Sequence, residues 1–548
     1  MPHTDELVFL PLGGSGEIGM NFNAYGYGPE HDRKWIVVDC GVMFGRETAS
    51  PGVDVIMPDI SFLAGQRDNV LGIVATHAHE DHIGAIAPLW PMLRCPVYAT
   101  PFTARVITGK LEEAGLENKV KLREVPVGGT LTLGPFTLDF VSITHSILEP
   151  NLLAIRTPLG TVAHTGDWKL DPDPLLGERT DEAALAKLGE MGVLAMVCDS
   201  TNALNPGTSG SEKDVRDNLI SLVGTLRGRV AIAAFASNVA RLDSAARAAK
   251  ASGRRLCLVG RSMHKMVEAA RDTGYLRDLP PLANEEDAAE LPPHKVLYLV
   301  TGSQGEPRAA LSRIAEGNHP GVELGKGDTV IFSSRIIPGN EIGIFALMNK
   351  LAARDIEIIT ADGDDIHVSG HPAREELSQM YRWLRPKIAI PVHGEMRHMT
   401  EHARLAKSLQ VPQAIVPQNG QMFRLAPGRA ELIDEVPSGQ MHLDGRVLVS
   451  EGEGLAKDRR GLGFAGIIVI TLVLDEKGRS AASPAIVAVG IPQPVQAAIR
   501  KTVEDHIARA GKRQDPDELA ETVRKAARRA ASEAWGKKPI TRVTVVEV

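Results

Sequence analysis

The stretch Thr76-His77-Ala78-His79-Glu80-Asp81-His82 decides how this chain is interpreted. It directly follows the apolar run 71–75, which predicts a buried strand that ends where the polar residues begin. Imidazole nitrogens and carboxylate oxygens are ligands that suit zinc or manganese. On an extended segment His77 and His79 share one face, whereas Asp81 and His82 face differently. The stretch therefore predicts ligands for two neighbouring metal ions.

The composition narrows the class of protein and its compartment. The chain has 548 residues, 43% hydrophobic and 24% charged, so we expect about two to four globular domains. No apolar run reaches the roughly 18 residues that span a bilayer, and no membrane association is expected. The four cysteines are widely spaced without a C-x-x-C pair, which argues against a zinc ribbon and fits a reducing cytoplasm. A net charge of −7 gives no overall attraction to nucleic acid, so any nucleic-acid binding would need a local basic channel or the metal ions.

Further polar residues follow apolar strands elsewhere in the chain. The segments are Thr144-His145-Ser146, His164-Thr165-Gly166-Asp167, Cys198-Asp199-Ser200-Thr201-Asn202 and Pro391-Val392-His393-Gly394-Glu395. Sites on α/β scaffolds gather at strand ends, so these segments are candidates for one common site. Taken singly, His145 and His393 could equally be structural histidines. Together with the histidines of 76–82 they become candidate metal ligands.

These motifs, in this order, resemble a known family. The pattern H-x-H-x-D-H, followed by His145 and Asp167, resembles the metallo-β-lactamase fold of hydrolases. The segments Asp199-Ser200-Thr201-Asn202, Ile366-His367-Val368-Ser369-Gly370-His371 and His393-Gly394-Glu395 resemble the β-CASP branch of that fold, which acts on nucleic acids. Within the branch the chain is most similar to the ribonuclease J family, with support from Phe235-Ala236-Ser237-Asn238.

The resemblance implies a domain organisation of the α/β class. We expect a metallo-β-lactamase αββα sandwich, interrupted by an inserted β-CASP α/β domain and followed by a small C-terminal α/β domain. The boundaries that we predict are 1–205 and 373–450 for the lactamase domain, 206–372 for the β-CASP domain, 451–462 for a linker, and 463–548 for the C-terminal domain. The linker is predicted from the glycine-rich, charged composition of that segment.

The resemblance also implies two divalent metal ions, either zinc or, as the alternative, manganese. The residues that would hold them are His77, His79 and His145 for one ion, Asp81, His82 and His393 for the other, and Asp167 for both. The chain departs from the family pattern after His145, where Leu148-Glu149 stands in place of Pro-Asp. This departure is expected to alter the surroundings of the ligand.

Two more residues are candidates for catalysis beside Asp81 and Asp167. Asp199 would orient a metal-binding histidine or the attacking water, with a turn cap at a strand end as the alternative role. His371 would donate a proton to the leaving oxygen or contact a phosphate. Both roles are implied by the resemblance.

A phosphate-binding pocket is the remaining expectation about the site. Its candidate residues are His367, Val368, Ser369, Gly370 and His371, together with Ser237 and Asn238. Ser369 and Gly370 are small enough for backbone N–H groups to approach an anion, and a helix that starts near Pro372 would add its positive N-terminal end. Ordinary helix capping by Ser or Asn is the alternative for both segments.

The implied function is RNA hydrolysis by a 5′→3′ exonuclease that favours 5′-monophosphate ends and also acts as an endonuclease. Its expected roles are mRNA decay and maturation of ribosomal RNA 5′ ends. Expected partners are single-stranded RNA with a 5′-monophosphate, further copies in a homodimer or homotetramer, and other RNA-decay proteins. One alternative is a small-substrate metallo-hydrolase of the same fold, which would lack the 206–372 insertion. The other is a non-catalytic RNA-binding subunit of a decay complex, which would not need the ligand set.

Overall fold

The computed structural model of the chain describes residues 4–45, 49–337, 339–361, 365–509 and 515–548. The chain divides into two compact units. The first comprises Met1–Met43 and Met57–Gly439, and the second comprises Phe44–Ile56 and Gln440–Val548. No helix of the described residues has both the length and the apolar character to cross a membrane. All candidate metal ligands belong to the first unit.

The first part of the chain alternates short strands with short helices. Its elements are β1 Glu6–Gly13, β2 Ser15–Gly16, β3 Phe22–Gly28, β4 Lys34–Val38, β5 Met43–Phe44, β6 Val55–Pro58, α1 Ser61–Ala64, β7 Val70–Val74, α2 Glu80–Ile83, α3 Ile86–Leu93, β8 Val97–Ala99, α4 Pro101–Glu113, β9 Leu122–Glu124, β10 Thr130–Leu133, β11 Phe136–Ser142, β12 Asn151–Thr157, β13 Gly160–His164, α5 Glu182–Met191 and β14 Ala195–Asp199.

A regular strand–helix alternation comes next, and the chain then returns to the first architecture. The alternating elements are α6 Glu212–Thr225, β15 Val230–Ala233, α7 Val239–Ala251, β16 Arg255–Val259, α8 Arg261–Asp272, α9 Glu285–Glu290, β17 Val296–Val300, α10 Ala310–Ala315, β18 Thr329–Phe332, α11 Glu341–Ala352 and β19 Glu357–Thr360. The returning elements are α12 Arg374–Leu384, β20 Ile388–Val392, β21 Gly394–Glu395, α13 Met396–Ser408, β22 Gln413–Ala414, β23 Gln421–Ala426 and β24 Glu431–Glu435.

Two large sheets face each other across one core. One sheet has the order β24-β23-β1-β3-β4-β7-β8-β9, and the other has the order β10-β11-β12-β13-β14-β20-β22. Apolar side chains of both sheets, among them Phe9, Tyr25, Phe136 and Phe140, pack in a single buried cluster between them. Burial of this apolar surface holds the two sheets together. Each sheet contains strands from both ends of the first unit, so the two ends form one domain.

Helices cover the outer faces of the two sheets. Leu185 of α5, Leu377 of α12 and Leu405 of α13 pack against the outer face of the second sheet in another buried cluster. Helix α4 packs on β8 and β9 of the first sheet. The arrangement is therefore helix, sheet, sheet, helix.

The middle of the chain builds a separate parallel sheet with the order β16-β17-β15-β18-β19. The central strands β17, with the sequence VLYLV, and β18, with the sequence TVIF, are almost entirely apolar and are buried along their whole length. Such continuous apolar strands are expected where helices cover both faces of a sheet. Helices α10 and α11 contribute Leu311 and Ile344 to the core on one face, and α7 packs against β16 and β17.

The second unit is built mainly by the C-terminal residues. Its elements after residue 440 are β25 Gln440–Asp444, β26 Val447–Ser450, α14 Leu455–Ala465, β27 Ile467–Leu474, β28 Ala485–Val489, α15 Gln493–Arg509, α16 Pro516–Trp535 and β29 Ile540–Glu547. The order β28-β27-β29 forms a small sheet, with β27 and β29 parallel. Ile468 and Ile470 of this sheet pack against Val503 of α15 and Val523 of α16.

The structure differs from two of the boundaries that the sequence suggested. The segment 451–462, predicted as a linker, is largely helical, because it contains the turn Glu451–Glu453 and most of α14. Ala456 and Ala465 are buried, and a Cβ on Gly461 would lie 3.4 Å from Ile540 Cδ1. The small residues therefore serve close helix packing there. The hairpin β25–β26, which we assigned to the lactamase domain, belongs to the second compact unit.

Candidate metal centre

The candidate ligands meet because the strands that precede them end side by side. Strands β13, β14 and β20 are parallel neighbours, with His164 opposite Val197 and Asp199 opposite Val392. Asp167 lies three residues after the end of β13, and His393 directly follows the end of β20. Parallel strands bring their carboxyl ends to one edge of a sheet, and this edge carries the site.

One cluster gathers three imidazoles around the carboxylate of Asp167. Nδ1 of His79 lies 3.1 Å from Nε2 of His77 and 3.0 Å from Nε2 of His145. Both Nε2 atoms lie 3.9 Å from Oδ2 of Asp167. One ligand atom from each of these four residues lies within 4.8 Å of all the others. The group is the set predicted for the first ion.

A second cluster shares the same Asp167 oxygen. Nε2 of His82 lies 3.1 Å and Nε2 of His393 3.3 Å from Oδ2 of Asp167. Each of these nitrogens also lies 3.7 Å from Oδ2 of Asp81. Asp81 and His82 are placed by α2, whose first residue is Glu80, rather than by an extended segment. This is the set predicted for the second ion, and Asp167 is common to both groups.

Hydrogen bonds fix the orientation of the imidazole rings. Nδ1 of His82 donates to Asp39 Oδ2 at 2.7 Å, Nδ1 of His145 donates to the carbonyl of Gly370 at 2.5 Å, and Nδ1 of His393 donates to Asn21 Oδ1 at 3.0 Å. Each acceptor is an oxygen that cannot donate, so Nδ1 carries a hydrogen and Nε2 is the nitrogen that faces the ligand clusters. The three Nε2 atoms are therefore the nitrogens that would bind metal.

Asp39 is a functional residue that the sequence analysis missed. Its Oδ1 accepts from the backbone N–H of Thr76 at 2.7 Å, and its Oδ2 accepts from Thr76 Oγ1 at 2.9 Å as well as from His82. The side chain is fully buried, and the residue has a φ of 65°. A single aspartate after the buried strand β4 was the only signal in the sequence. Its role becomes visible only when β4 and β7 lie side by side.

Asn21 is a second missed residue. Its Nδ2 donates to the carbonyl of Asp81 at 3.1 Å and lies 3.1 Å from Nε2 of His82, while its Oδ1 holds His393. One buried amide thus contacts ligands on both sides of the second cluster. Gly41 permits this closeness, because a Cβ there would lie 1.6 Å from the carbonyl oxygen of Asp81.

Burial and charge divide the histidines into two classes. Burial holds the pKa of His77 and His145 well below its usual range and lowers the pKa of His79 to about 4. These three rings are therefore neutral, as metal ligands must be. Burial also acts against protonation of His82 and His393, but the surrounding carboxylates, Asp167 foremost, together outweigh it and raise the pKa of both.

The pKa of Asp167 is also set by burial and charge acting in opposite directions. Burial alone would raise the pKa of its carboxyl group, but His393 and His82 hold this pKa well below the usual value. The group is therefore ionised, with its negative charge between the two histidine clusters.

The donor set suits a pair of divalent cations. Oδ1 of Asp167 and Nε2 of His393 are buried and have no hydrogen-bond partner among the described residues. Unpaired buried polar atoms are costly, so two of them pointing into one ligand cluster indicate an absent partner. Three imidazoles with one carboxylate, and two imidazoles with two carboxylates, are both ligand sets that zinc accepts.

Asp199 and His371 form a pair at the edge of these clusters. Nδ1 of His371 donates to Oδ2 of Asp199 at 2.8 Å. Oδ1 of Asp199 accepts from the backbone N–H of Thr201 at 2.8 Å, so the carboxylate also caps a turn at the strand end. Burial alone would lower the pKa of His371, but Asp199 and Asp167 raise it to about 9.

The loop 367–371 lies directly against the metal-ligand cluster. A Cβ on Gly370 would lie 2.7 Å from Cε1 of His145, so only glycine fits there. His371 N–H donates to Ser369 Oγ at 3.1 Å. Helix α12 begins at Arg374, close behind the loop, with Glu376 accepting from the N–H of Ala373. The loop therefore presents small residues beside the predicted reaction centre.

The other phosphate-pocket candidates have different surroundings. Asn238 Oδ1 accepts from Arg241 N–H at the start of α7, which is the capping role considered as the alternative. No side-chain hydrogen bond within the described ranges joins Ser237 or Asn238 to Ser369. Burial lowers the pKa of His367 to about 3, with Arg241 adding to the effect, and its buried Nδ1 has no hydrogen-bond partner in the described part of the chain. Phosphate binding by these residues stays a prediction.

Glu149, where the chain departs from the family pattern, holds two parts of the first unit together. Its Oε2 accepts from the N–H of Phe102 at the start of α4 at 2.8 Å, and its Oε1 accepts from Tyr275 Oη at 3.0 Å. Tyr275 follows α8 of the inserted region. The Glu149 side chain thus connects the lactamase sandwich to the insertion. No hydrogen bond of the described residues joins the Glu149 side chain to His145.

Family models match four consecutive stretches of the chain. They are described as the metallo-beta-lactamase superfamily for residues 23–222, the ribonuclease J beta-CASP domain for 227–351, a Zn-dependent metallo-hydrolase RNA specificity domain for 359–416, and the ribonuclease J C-terminal domain for 455–548. With the two facing sheets and the parallel insertion, these matches confirm the predicted fold class.

Full-length relatives and a solved structure agree with this result. Ribonuclease J of Sinorhizobium meliloti is 46% identical over 557 residues, which covers 100% of this chain and 98% of the relative. Ribonuclease J of Corynebacterium glutamicum is 38% identical, covering 98% of this chain and 76% of its own length. A protein of unknown function from Enterococcus faecalis shares the fold, with a TM-score of 0.52 at 16% identity over 76% of this chain and 99% of its own. The chain therefore belongs to the ribonuclease J family.

Proposed function

We propose that this metal-dependent ribonuclease degrades RNA from the 5′ end, prefers a 5′-monophosphate, and also cuts internally. The observation that carries the proposal is the position of the loop 369–371. Gly370 contacts His145 through its carbonyl, and His371 is bonded to Asp199 beside Asp167. A terminal phosphate held by this loop would lie next to the metal ligands. The bond that is cut would then be close to the 5′ end.

The metal ions are proposed to be held by the two clusters described above, with Asp167 shared. Two bound dications would activate a water molecule for attack and stabilise the charge on the attacking and leaving oxygens. Zinc is proposed because imidazoles make up three of the four ligands in one set and two of the four in the other, with manganese as the alternative. The negative charges of Asp81 and Asp167 would offset the free-energy cost of burying two cations.

The pair Asp199 and His371 is proposed to act on the substrate. Asp199 holds Nδ1 of His371, so Nε2 is the nitrogen that remains available. From there the imidazolium can donate a proton to the leaving oxygen or a hydrogen bond to a phosphate. Asp199 is a positioning residue in this arrangement.

The wider biological assignment follows from the family alone. We propose roles in mRNA decay and in maturation of ribosomal RNA 5′ ends in the cytoplasm. Association as a homodimer or homotetramer, and with other RNA-decay proteins, belongs to the same proposal.

Matched RNAs that differ only at the 5′ end test the proposal. The purified chain is stripped with chelator and reloaded with zinc or manganese, and degradation of monophosphate, triphosphate and hydroxyl forms of one RNA is timed. We expect activity only after reloading, with the monophosphate form degraded fastest. His79→Ala should reduce the rate by orders of magnitude, because one cluster loses its central nitrogen. A circular RNA, which has no ends, is cut only by the proposed endonuclease activity.

The same assay separates the alternatives. A small-substrate hydrolase would degrade none of the three RNAs, and a non-catalytic RNA-binding subunit would bind them without cutting. Equal rates on the three ends would leave a ribonuclease that does not read the 5′ phosphate.

A further inference from the structure

The geometry points to Asn202 as the residue that sets the 5′-phosphate preference, by forcing the Ser369 hydroxyl to act as a hydrogen-bond donor. The inference rests on the proposed function, in which the loop 369–371 reads the phosphate. Asn202 lies just after β14, in the segment that also carries Asp199, and is largely buried. It is a positioning residue, since it acts through Ser369.

The orientation of the Asn202 amide is determined by its neighbours. Its Nδ2 lies 3.0 Å from the backbone carbonyl of His371, and a carbonyl oxygen can only accept. The NH₂ group therefore faces the loop, and Oδ1 faces the other way, where it accepts from Asn205 Nδ2 at 3.0 Å. The amide has two hydrogens: one goes to His371 O and the other to Ser369 Oγ, which lies 2.7 Å away.

The Ser369 hydroxyl has a definite polarity as a result. Its oxygen accepts from Asn202 Nδ2 and from the backbone N–H of His371, at 2.7 Å and 3.1 Å. A hydroxyl oxygen has two acceptor positions and one hydrogen, so both acceptor positions are filled. No acceptor for the hydroxyl hydrogen is found in the part of the chain that the structure describes. The only group that the Ser369 side chain can still offer to a ligand is this hydrogen.

A fixed donor binds an anion more strongly than it binds a neutral group. A 5′-phosphate has oxygens that accept hydrogen bonds, and bonds to charged groups are stronger than neutral ones. A 5′-hydroxyl end lacks this charge. A serine that was free to rotate would lose part of the advantage, because orienting its hydrogen would cost entropy. Asn202 removes that cost before the RNA arrives.

The test is a double-mutant cycle on the full-length, metal-loaded enzyme. The kcat/KM values for 5′-monophosphate and 5′-hydroxyl forms of one RNA are measured for wild type, Asn202→Ala, Ser369→Ala and the double variant. The readout is the ratio of the two values. We expect Ser369→Ala to lower the ratio by about 10-fold or more, and Asn202→Ala by about 5-fold. In the double variant the Asn202 substitution should have no further effect.

The ratio separates this role from a structural one. Asn202 also holds the carbonyl of His371, so its loss can slow both RNAs, but an equal slowing cancels in the ratio. An equal slowing with an unchanged ratio would overturn the inference. So would a ratio lowered by Asn202→Ala to the same extent with and without Ser369→Ala. Asn218→Ala is the matched control, since this exposed amide donates to the carbonyl of Asp365 and should leave the ratio unchanged.

Failure of the inference is distinguishable from failure of the proposed function. A wild-type ratio near one means that the 5′ phosphate is not read at all, whatever Asn202 does. Asn202→Asp provides a second variant if Asn202→Ala does not fold, because it keeps the side-chain shape. Its carboxylate presents acceptors where Nδ2 presented hydrogens, so the Ser369 hydrogen turns inward and the ratio falls. A folded Asn202→Asp enzyme with the wild-type ratio would contradict the inference.

Discussion

Asp39, which directly follows strand β4, holds the metal-ligand loop in place by hydrogen bonds. One carboxylate accepts from the Thr76 backbone, the Thr76 hydroxyl and His82 Nδ1. The loop that carries His77, His79 and Asp81 is therefore anchored at its first residue and at its last ligand. Buried acceptors of this kind hold a ligand ring in the orientation that binds metal.

Asp39→Ala should weaken metal binding without changing the ligands themselves. We expect affinity for zinc to fall by about 10- to 100-fold, the range typical of lost supporting hydrogen bonds to metal-binding histidines. Metal titration followed by calorimetry measures this. Asp68→Ala is the control, because the Asp68 side chain is 99% exposed. Equal affinities for the two variants would show that Asp39 does not support the site.

Asp199 and His371 should affect the chemical step more than RNA binding. Groups that interact mainly with the transition state act on turnover, whereas groups that hold the ground state act on affinity. Asp199→Ala and His371→Ala are therefore expected to lower single-turnover rates at saturating RNA, with smaller changes in Kd. Single-turnover kinetics and filter binding on the same RNA make the comparison. Wild-type rates combined with weakened binding would remove both residues from the chemistry.

At the scale of elements, Asp171 joins the start of α6 to the strand-end loop. Its carboxylate accepts from Ser211 Oγ, from the N–H of Glu212 and from Lys169 Nζ. Burial alone would raise the pKa of Asp171, but Lys169 and the backbone hydrogen bond from Glu212 hold it below the usual value. The ionised carboxylate is thus favoured in the folded state.

This shift predicts how stability depends on pH. Because the folded pKa is depressed, the stabilisation is present above the unfolded pKa of about 3.9 and is lost as the pH falls through the folded value. Asp171→Asn should lower the melting temperature at pH 7 and flatten its decline in acid. Leaving Lys169 unpaired should cost about 3–5 kcal/mol, since that side chain is 1% exposed. Asp173→Asn, at a side chain that is 50% exposed, is the control. Parallel melting curves for Asp171→Asn and wild type below pH 5 would contradict the prediction.

The elements also show which parts of the fold were accessible from the sequence. Strands such as β7 and β8 were predictable because apolar runs ended at turn residues. Strand β3, Phe22–Gly28, was not predicted, because FNAYGYG alternates with glycine and carries an asparagine. A Cβ on Gly26 would lie 2.7 Å from Val8, so neighbouring strands rather than local propensity require that glycine. Packing of this kind cannot be read from one segment.

The candidate site shows the same division. The histidine-rich motif and the later ligand segments were visible because metal ligands are chemically distinctive and closely spaced. Asn21 and Asp39 were not visible, because each is a single polar residue whose partners are distant in sequence. Asn202 lay in a motif that we identified, but its role was not visible. Its hydrogen bonds to Ser369 and His371 form only because the end of the insertion folds back beside the segment that precedes it.

At the scale of the whole molecule, the second metal cluster connects chain segments that the insertion separates. His77 to His145 precede the parallel sheet β15–β19, and His393 follows it. The ligands of the second cluster therefore meet only when both parts of the lactamase sandwich have folded together. Binding of ions to these ligands is coupled to correct assembly of the two parts, because the ligands are not close in an unfolded chain.

Metal removal should consequently lower the stability of the first unit. A ligand that binds only the folded state adds about 2.7 kcal/mol when its free concentration is one hundred times Kd. Thermal unfolding is therefore expected at a higher temperature with zinc or manganese than with chelator. His393→Ala should lose part of this difference, because the second cluster loses a nitrogen while the first is intact. His294→Ala, at an exposed histidine, should keep all of it. If His393→Ala retained the full metal-dependent shift, the second cluster would not hold an ion, and the connection between the two parts of the sandwich would be made by packing alone.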